Sequence, residues 1–358
     1  MDGSNVAKPG KRAAAKSTAS SGTRTINLAL QGGGAHGAFT WGVLDQLLDD
    51  ERIIVEGLSA TSAGAMNAAV FTYGYAMGGR AGAKTALAQF WRRISEAAMR
   101  GPLQPSWLDR IMGNRSLEFS PAFVFADLMT RLFSPYEFNV FDVNPLRDVL
   151  EATVDFAALR EHACPIKLFL SATNVRTGKV RVFERTEICA DRVLASGCLP
   201  FLFRAVEIEG EHYWDGGYMG NPAIFPLIYN CDSRDVVIVH INPLEREELP
   251  RTAMEIHNRI NEISFNSSLM REMRAISFVT SLIDSGAICA NQLKRMLIHS
   301  IAADDVMREL GVSSKLNADW DFLLYLRDAG RTRAKAWIEA SFDRLGQEST
   351  IDIRRQYL

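Results

Sequence analysis

A serine at position 62 has only small residues beside it and stands at the junction of two different patterns. The segment reads Ala60-Thr61-Ser62-Ala63-Gly64, after a strand-like run at 53–60 and before a small-residue, helix-compatible run at 63–70. Side chains next to an exposed serine must be small in a sharp strand-to-helix turn, so this pattern is typical of a nucleophile elbow. An ordinary helix N-cap is the alternative. We favour a serine that attacks an acyl carbonyl.

A glycine-rich segment lies upstream of this serine. Gly32-Gly33-Gly34-Ala35-His36-Gly37 separates an apolar run at 26–30 from a helical pattern at 38–48. Such a turn can offer backbone N–H groups to a developing oxyanion. The same spacing also satisfies a dinucleotide-binding fingerprint, which needs an acidic residue at the end of the next strand. That strand ends in Ala60-Thr61-Ser62, with Glu56 placed earlier, so a nucleotide cofactor is disfavoured.

A candidate base for the serine is the aspartate of Asp215-Gly216-Gly217. Residues 206–214 alternate like a hairpin whose turn is Glu209-Gly210, and its second strand would carry Asp215 to a strand end. Asp-Gly is by itself a common turn signal, so the case depends on the conjunction of the three motifs. No histidine has the context of a triad member, because alternation places His212 on the opposite face from Asp215.

In this order the three motifs resemble those of the patatin-like phospholipases, which are lipid acyl hydrolases with a Ser–Asp dyad. The similarity runs from about Thr25 to Pro243. It implies that Ser62 is the nucleophile and Asp215 the base, without a metal or a cofactor. It also implies an oxyanion hole at Gly32, Gly33, Gly34, Ala35 and Gly37, with support for the elbow and dyad from Ala60, Ala63, Gly64, Gly216 and Gly217.

Two positions depart from the family pattern. Ala60 stands where the family usually has glycine, and alanine is still small enough for a tight elbow. His36 stands where the family usually has arginine or lysine, which removes a fixed positive charge beside the oxyanion hole.

The resemblance implies hydrolysis of fatty-acyl esters of phospholipids or lysophospholipids through an acyl-enzyme. The alternatives are an esterase, a thioesterase or a storage-polyester hydrolase, and a family member that binds lipid without turnover. The expected partner is a lipid or acyl-ester substrate, with peripheral membrane contact left open. Nothing in the sequence indicates an oligomeric state.

Bulk properties favour a soluble, cytoplasmic protein, and a peripheral position at a membrane stays open. The net charge of −2 gives no reason to expect nucleic-acid binding. The five cysteines are dispersed and lack CxxC spacing, which argues against disulfides and a zinc site. No run approaches the roughly 18 apolar residues of a membrane-spanning helix.

The chain divides into three segments. Residues 1–24 read as a disordered basic tail, and 25–243 as a three-layer α/β/α hydrolase domain with a mostly parallel sheet. Within that domain, the apolar and proline-containing stretch 101–143 is predicted to be either a lid or a packed helical excursion. Residues 244–358 are predicted to be a helical extension that packs on the α/β domain, and 287–301 is included in the helical pattern.

Overall fold

The computed structural model describes residues 22–101, 117, 120–288 and 292–358. The predicted tail therefore lies outside the described residues, apart from its last three positions. Most of the first half of the 101–143 insertion also lies outside them. Among the described residues, no helix combines the length and the apolar character needed to cross a bilayer.

Eight strands of the described residues form one mixed sheet. They are β1 (Arg24–Leu30), β2 (Ile53–Ala60), β3 (Lys167–Asn174), β4 (Val180–Glu184), β5 (Val206–Ile208), β6 (Glu211–Asp215), β7 (Asp235–Val239) and β8 (Leu297–Ile301). The sheet order is β5-β6-β3-β2-β1-β7-β8, and β4 pairs with β3 outside this path. The strands from β3 to β8 in this order run parallel, while β4, β5 and β6 are joined by antiparallel pairing.

The strands are covered on both faces, as their continuous apolar runs predict. Residues of even and odd number along β1, β3 and β7 belong to two different core clusters. Leu28 and Leu30 lie in one cluster, and Ala29 lies in the other. Because side chains alternate across a strand, the two clusters are the two faces of the sheet, and helices cover each face. The predicted three-layer architecture is confirmed.

The described helices follow the strands as in other α/β domains. They are α1 (Gly37–Asp49), α2 (Ala63–Met99), α3 (Pro121–Leu132), α4 (Pro135–Phe138), α5 (Pro145–Thr153), α6 (Phe156–Glu161), α7 (Ala190–Ser196), α8 (Phe225–Asn230), α9 (Ala253–Asp284), α10 (Asp304–Arg308), α11 (Trp320–Ser341) and α12 (Ile353–Tyr357). Helix α2 is interrupted at Gly78 and Gly79, whose backbone is not helical. The break divides the helix into two stretches.

The hairpin predicted before Asp215 is present. Strands β5 and β6 pair antiparallel, and Glu209 and Gly210 join them with positive φ angles of 55° and 80°. A two-residue turn with both φ angles positive matches the right-handed twist of the flanking strands. The hairpin therefore ends β6 at Asp215.

The helical prediction for 287–301 was wrong. Leu297–Ile301 is strand β8, which pairs in parallel with β7 from Leu297 opposite Asp235 to Ile301 opposite Val239. A five-residue segment is too short for its hydrophobic periodicity to separate a strand from a helix. The pairing partner decides the outcome, because the open edge of β7 supplies the hydrogen bonds that a strand requires. The segment after residue 243 thus completes the sheet and also contributes helices.

Candidate active site

Strand register brings the three sequence motifs to one level of the sheet. Leu30 of β1 is opposite Ala60 of β2, and Ala60 is opposite Leu170 of β3. Two residues further along, the same level holds Gly32, Ser62 and the β3 residue Ala172, which pairs with Asp215. This edge carries the carboxyl ends of the parallel strands, where ligands bind in open α/β sheets.

Ser62 lies in a strained turn between β2 and α2. Its φ and ψ angles are 58° and −128°, a region that costs a non-glycine residue about 1–3 kcal/mol. Ser62 occupies the N-cap position of α2, yet its side chain makes no capping hydrogen bond. The hydroxyl is therefore not used as an ordinary helix cap. The Ser62 N–H donates to the carbonyl oxygen and to Oγ of Ser196, both at 3.1 Å.

Close backbone approach explains why the elbow has small neighbours. A Cβ placed on Gly64 would lie 2.5 Å from the carbonyl oxygen of Leu30, which belongs to the backbone and cannot move aside. A Cβ placed on Gly32 would lie 2.4 Å from Ser62 Cβ. The glycine turn therefore lies directly against the serine. Ala60 and Ala63 are both buried, so alanine fits at the two remaining small positions.

Asp215 is fully buried at the end of β6. One carboxylate oxygen, Oδ1, accepts the Gly217 N–H at 2.7 Å, within the short 3-10 helix Gly216–Tyr218. The other oxygen, Oδ2, has no hydrogen-bond partner among the described residues. The backbone is held independently, since Asp215 N–H donates to the Cys198 carbonyl and Thr173 Oγ1 donates to the Asp215 carbonyl.

Burial raises the pKa of Asp215 to about 7, while the Gly217 amide and the Ser62 hydroxyl both favour the ionised form. The Ser62 hydroxyl is thus close enough to influence the carboxylate, although no well-aligned hydrogen bond joins it to Oδ2. Catalytic hydrogen bonds are often long until substrate is bound. A carboxyl group with a pKa near neutrality is a much stronger base than an ordinary aspartate.

The glycine turn presents backbone amides that donate no hydrogen bond within the described residues. Gly33 is half-buried and Gly34 is exposed, and their N–H groups donate to no acceptor among the described residues. The Gly32 N–H is already used, since it donates to Oδ1 of Asn221 at 2.7 Å. The Gly37 N–H is also used, within the 3-10 turn Gly34–His36. Gly33 and Gly34 are therefore available donors of this turn, and the N–H of the buried Ala35 likewise has no acceptor among the described residues.

His36 is turned away from solvent. It is 2 % exposed, and its Nε2 lies 2.7 Å from Oγ of Ser314. Ser314 Oγ already donates to the Gly311 carbonyl, so His36 Nε2 is the donor in this pair. Burial lowers the pKa of His36 to about 3, with the positive charges of Lys315 and Arg246 as further causes. The imidazole is neutral and serves the packing of the turn.

Three further histidines contact groups away from Ser62. His212 stands opposite Glu207 on the outer face of the hairpin, as the alternation predicted. His240 is hydrogen-bonded to the Tyr357 hydroxyl, and His299 to Asp235 and Thr350. Among the histidines with described side chains, none is hydrogen-bonded to Ser62. The arrangement matches a serine–carboxylate pair.

Three residues that the sequence reasoning missed hold the two turns. Ser196, at the end of α7, accepts the Ser62 N–H. Asn221 and Asn242 bind the N–H and the carbonyl oxygen of Gly32. The Asn221-Pro222 dipeptide marks a loop. No local pattern indicates that any of these side chains reaches the glycine turn or the serine turn.

The described residues include no cluster of three or more His, Cys, Asp or Glu side chains that could hold a metal ion. Glu56, the acidic residue nearest to a ribose-binding position, accepts hydrogen bonds from the Asp232 and Ser233 amides and from Lys167 Nζ. It is therefore already occupied within the fold.

Comparison with known proteins shows a family match over more than half of the chain. The sequence model described as "Patatin-like phospholipase" matches residues 28–228. Among solved structures, VipD from Legionella pneumophila superposes on this chain with a TM-score of 0.43 and 16% sequence identity. The superposition covers 88% of this chain and 67% of the VipD chain. No curated protein matches the chain significantly.

Proposed function

Because the chain belongs to the patatin-like phospholipase family and is a lipid acyl hydrolase, we propose that Ser62 and Asp215 form its catalytic dyad. One observation carries this proposal. A serine hydroxyl that makes no helix-capping hydrogen bond lies in a strained turn beside a buried carboxylate. The second oxygen of that carboxylate, Asp215 Oδ2, has no hydrogen-bond partner among the described residues and is free to accept the serine proton.

In the acylation step Ser62 Oγ attacks the ester carbonyl carbon, and Asp215 accepts the hydroxyl proton. With a pKa of about 7, Asp215 is largely ionised at slightly alkaline pH and still binds a proton readily. The Gly217 N–H keeps Oδ1 in place and leaves Oδ2 for the proton.

The tetrahedral oxyanion then lies at the glycine turn. The Gly33 and Gly34 amides are the proposed donors, and α1 starts directly behind them at Gly37, so its dipole adds positive potential. Gly32, Ala35 and Gly37 shape the turn. Collapse of the intermediate passes the proton from Asp215 to the leaving alcohol, and a water activated by Asp215 hydrolyses the acyl-serine.

An apolar surface beside the site suits a lipid substrate. Exposed apolar side chains of the described part of the insertion are Val124, Phe125, Leu128, Leu132, Phe133, Tyr136, Phe138, Val140, Phe141 and Val143. The Tyr136 hydroxyl accepts the Ala205 N–H. Burial is the main cause that raises the pKa of the Cys198 thiol, and the negative charges of Asp215 and Asp142 raise it further. The insertion therefore contacts the segment 198–205, and the Cys198 carbonyl of that segment accepts the Asp215 N–H. We infer that this apolar surface faces acyl chains, which favours phospholipids and lysophospholipids over small esters.

The test is release of free fatty acid from mixed phospholipid and lysophospholipid vesicles in the presence of a chelator. Ser62→Ala and Asp215→Asn should each lower the rate at least about 1,000-fold, since each removes a reacting group. His212→Ala, on the outer face of the hairpin, is the matched control and should keep most of the activity.

Full activity in Asp215→Asn would contradict the dyad. A fluorophosphonate probe separates the alternatives, because only an activated serine is labelled. Labelling of Ser62 without fatty-acid release would redirect the assignment to a thioester, a storage polyester or another acyl ester. A folded protein that is not labelled would be a lipid binder without turnover.

A further inference from the structure

The peptide group between Gly32 and Gly33 is bonded at one end only. Its carbonyl oxygen accepts a hydrogen bond from Asn242 Nδ2 at 2.6 Å. Its N–H, which belongs to Gly33, has no partner among the described residues. The two groups belong to one conjugated amide, so whatever polarises the carbonyl also makes the N–H a stronger donor.

Asn242 is in turn bonded to a lysine. Lys315 Nζ donates to Oδ1 of Asn242 at 2.9 Å. Lys315 lies in the 3-10 helix Val312–Leu316, and both it and Asn242 lie outside the 28–228 match. The same 3-10 helix binds His36 through Ser314, so it packs directly on the glycine turn.

Lys315 has no ion pair with a carboxylate among the described residues. Glu262 is the carboxylate that acts on it through space, and Glu262 is itself paired with Arg246 and Arg259. Two arginines thus pair with the buried carboxylate behind the turn. Burial lowers the pKa of Lys315, and the negative charge of Glu262 opposes this shift. The turn brings no cation of its own, because His36 is neutral.

We propose that Lys315 is a positioning residue that strengthens the Gly33 oxyanion donor through Asn242. The chain of donors runs from Lys315 Nζ to Asn242 Oδ1, then from Asn242 Nδ2 to the Gly32 carbonyl, and ends at the Gly33 N–H. Hydrogen bonds in such a chain polarise one another, and the effect is larger in a buried, low-dielectric place. This inference rests on the proposed function, since it assigns a task to the oxyanion hole of the same site.

The proposed relay stabilises the oxyanion of the transition state, whereas a purely structural role would stabilise the folded enzyme in every state. An effect on the oxyanion lowers kcat and leaves KM unchanged, because the ground-state ester carries no such charge. A trifluoromethyl ketone with the substrate's acyl chain forms an adduct that carries the same oxyanion, so its affinity reports the stabilisation of that oxyanion. Ser62 Oγ adds to its carbonyl carbon, the hydroxyl proton passes to Asp215, and the ketone oxygen becomes the oxyanion.

The experiment uses the full chain and a soluble p-nitrophenyl ester, with folded sites counted by fluorophosphonate titration. Lys315→Met should lower kcat per titrated site about 10-fold, less than the 10²–10³ that loss of a direct donor costs. KM should stay within about twofold, and the inhibition constant of the ketone should rise by the same factor as kcat falls. Lys315→Arg should restore most of kcat and most of the ketone affinity, because a guanidinium group remains charged and donates hydrogen bonds.

Lys294→Met is the matched control. Lys294 is also a half-buried lysine that donates to an uncharged oxygen, the Cys231 carbonyl, and it is remote from the site. Its loss should leave kcat and ketone inhibition unchanged. An equal effect of Lys294→Met and Lys315→Met would overturn the relay.

A double-mutant cycle tests the route through Asn242. Asn242→Ala should cost at least as much as Lys315→Met, and the double variant should equal Asn242→Ala. Additive losses would overturn the relay, and so would unchanged ketone inhibition in Lys315→Met. Ser62→Ala in the same assay separates a failure of the proposed function from a failure of the relay. Hydrolysis that does not depend on Ser62 would contradict the proposed function itself. Hydrolysis that depends on Ser62 but is unchanged in Lys315→Met would contradict only the relay.

Discussion

Two turns meet at the proposed active site, and they are held in place in different ways. Both follow neighbouring parallel strands, the glycine turn after β1 and the serine turn after β2. The serine turn depends mainly on its own residues, since Gly64 and the small neighbours of Ser62 allow the strained backbone, and Ser196 adds acceptors for the Ser62 N–H. The glycine turn depends on Asn221 and Asn242, which come from distant parts of the chain.

The difference shows how the two catalytic tasks divide. A nucleophile needs one side chain held at one exposed point, and a short local segment provides that. Oxyanion donors are backbone amides, which must be aimed at a point outside their own turn. Side chains with fixed positions elsewhere in the fold must therefore bind the turn. Changes at each turn should accordingly have different consequences.

The largest effect is expected where the two turns touch. In Gly32→Ala, the new Cβ would lie 2.4 Å from Ser62 Cβ and 3.0 Å from the Thr61 carbonyl, so both turns must shift. A misplacement of about 1 Å can cost about 100-fold in rate, and we expect kcat to fall by that order. Gly78→Ala is the control, since a Cβ there meets nothing within 4 Å. Equal activity of the two variants would show that the turns are not in contact as described.

A smaller effect should separate the two turns. Asn221→Leu leaves the buried Gly32 N–H without its acceptor, which costs about 1–3 kcal/mol, and we expect kcat to fall about 10-fold. Ser196→Ala removes only one of two acceptors of the Ser62 N–H, because the Ser196 carbonyl remains, and the rate should change less than about threefold. Steady-state kinetics on a soluble ester measures both. A larger loss in Ser196→Ala would reverse the comparison.

The smallest difference is expected in the pH dependence. The base must be ionised, so kcat/KM should rise with pH through about 7 and level off above it, in accord with the raised pKa of Asp215. Neither turn carries this group, so Asn221→Leu should lower the plateau without moving the midpoint. A pH–rate profile of each protein gives both quantities. A midpoint that stays near 4 in the wild type would show that burial does not raise the pKa of Asp215 in solution.

Much of the fold was predictable because its signals are local. The runs that became β1, β2 and β7 are short and mostly apolar, and the hairpin turn at Glu209-Gly210 has glycine at its second position, where φ is positive. Strand β8 was missed because its five residues become a strand only beside the open edge of β7. The helices after residue 243 were predicted in kind, and their contacts with the glycine turn were not.

The sequence by itself determined which groups are available for chemistry. Ser62, Asp215 and the glycine turn are visible because tight turns restrict residue types within a few positions, and such restrictions can be read along the chain. Only the tertiary structure decided the electrostatic surroundings. The raised pKa of Asp215, the neutral His36 and the placement of Lys315 behind Asn242 all depend on burial and on charges from segments far apart in sequence. Electrostatic energies depend on distance and local dielectric, and no local pattern encodes either of them.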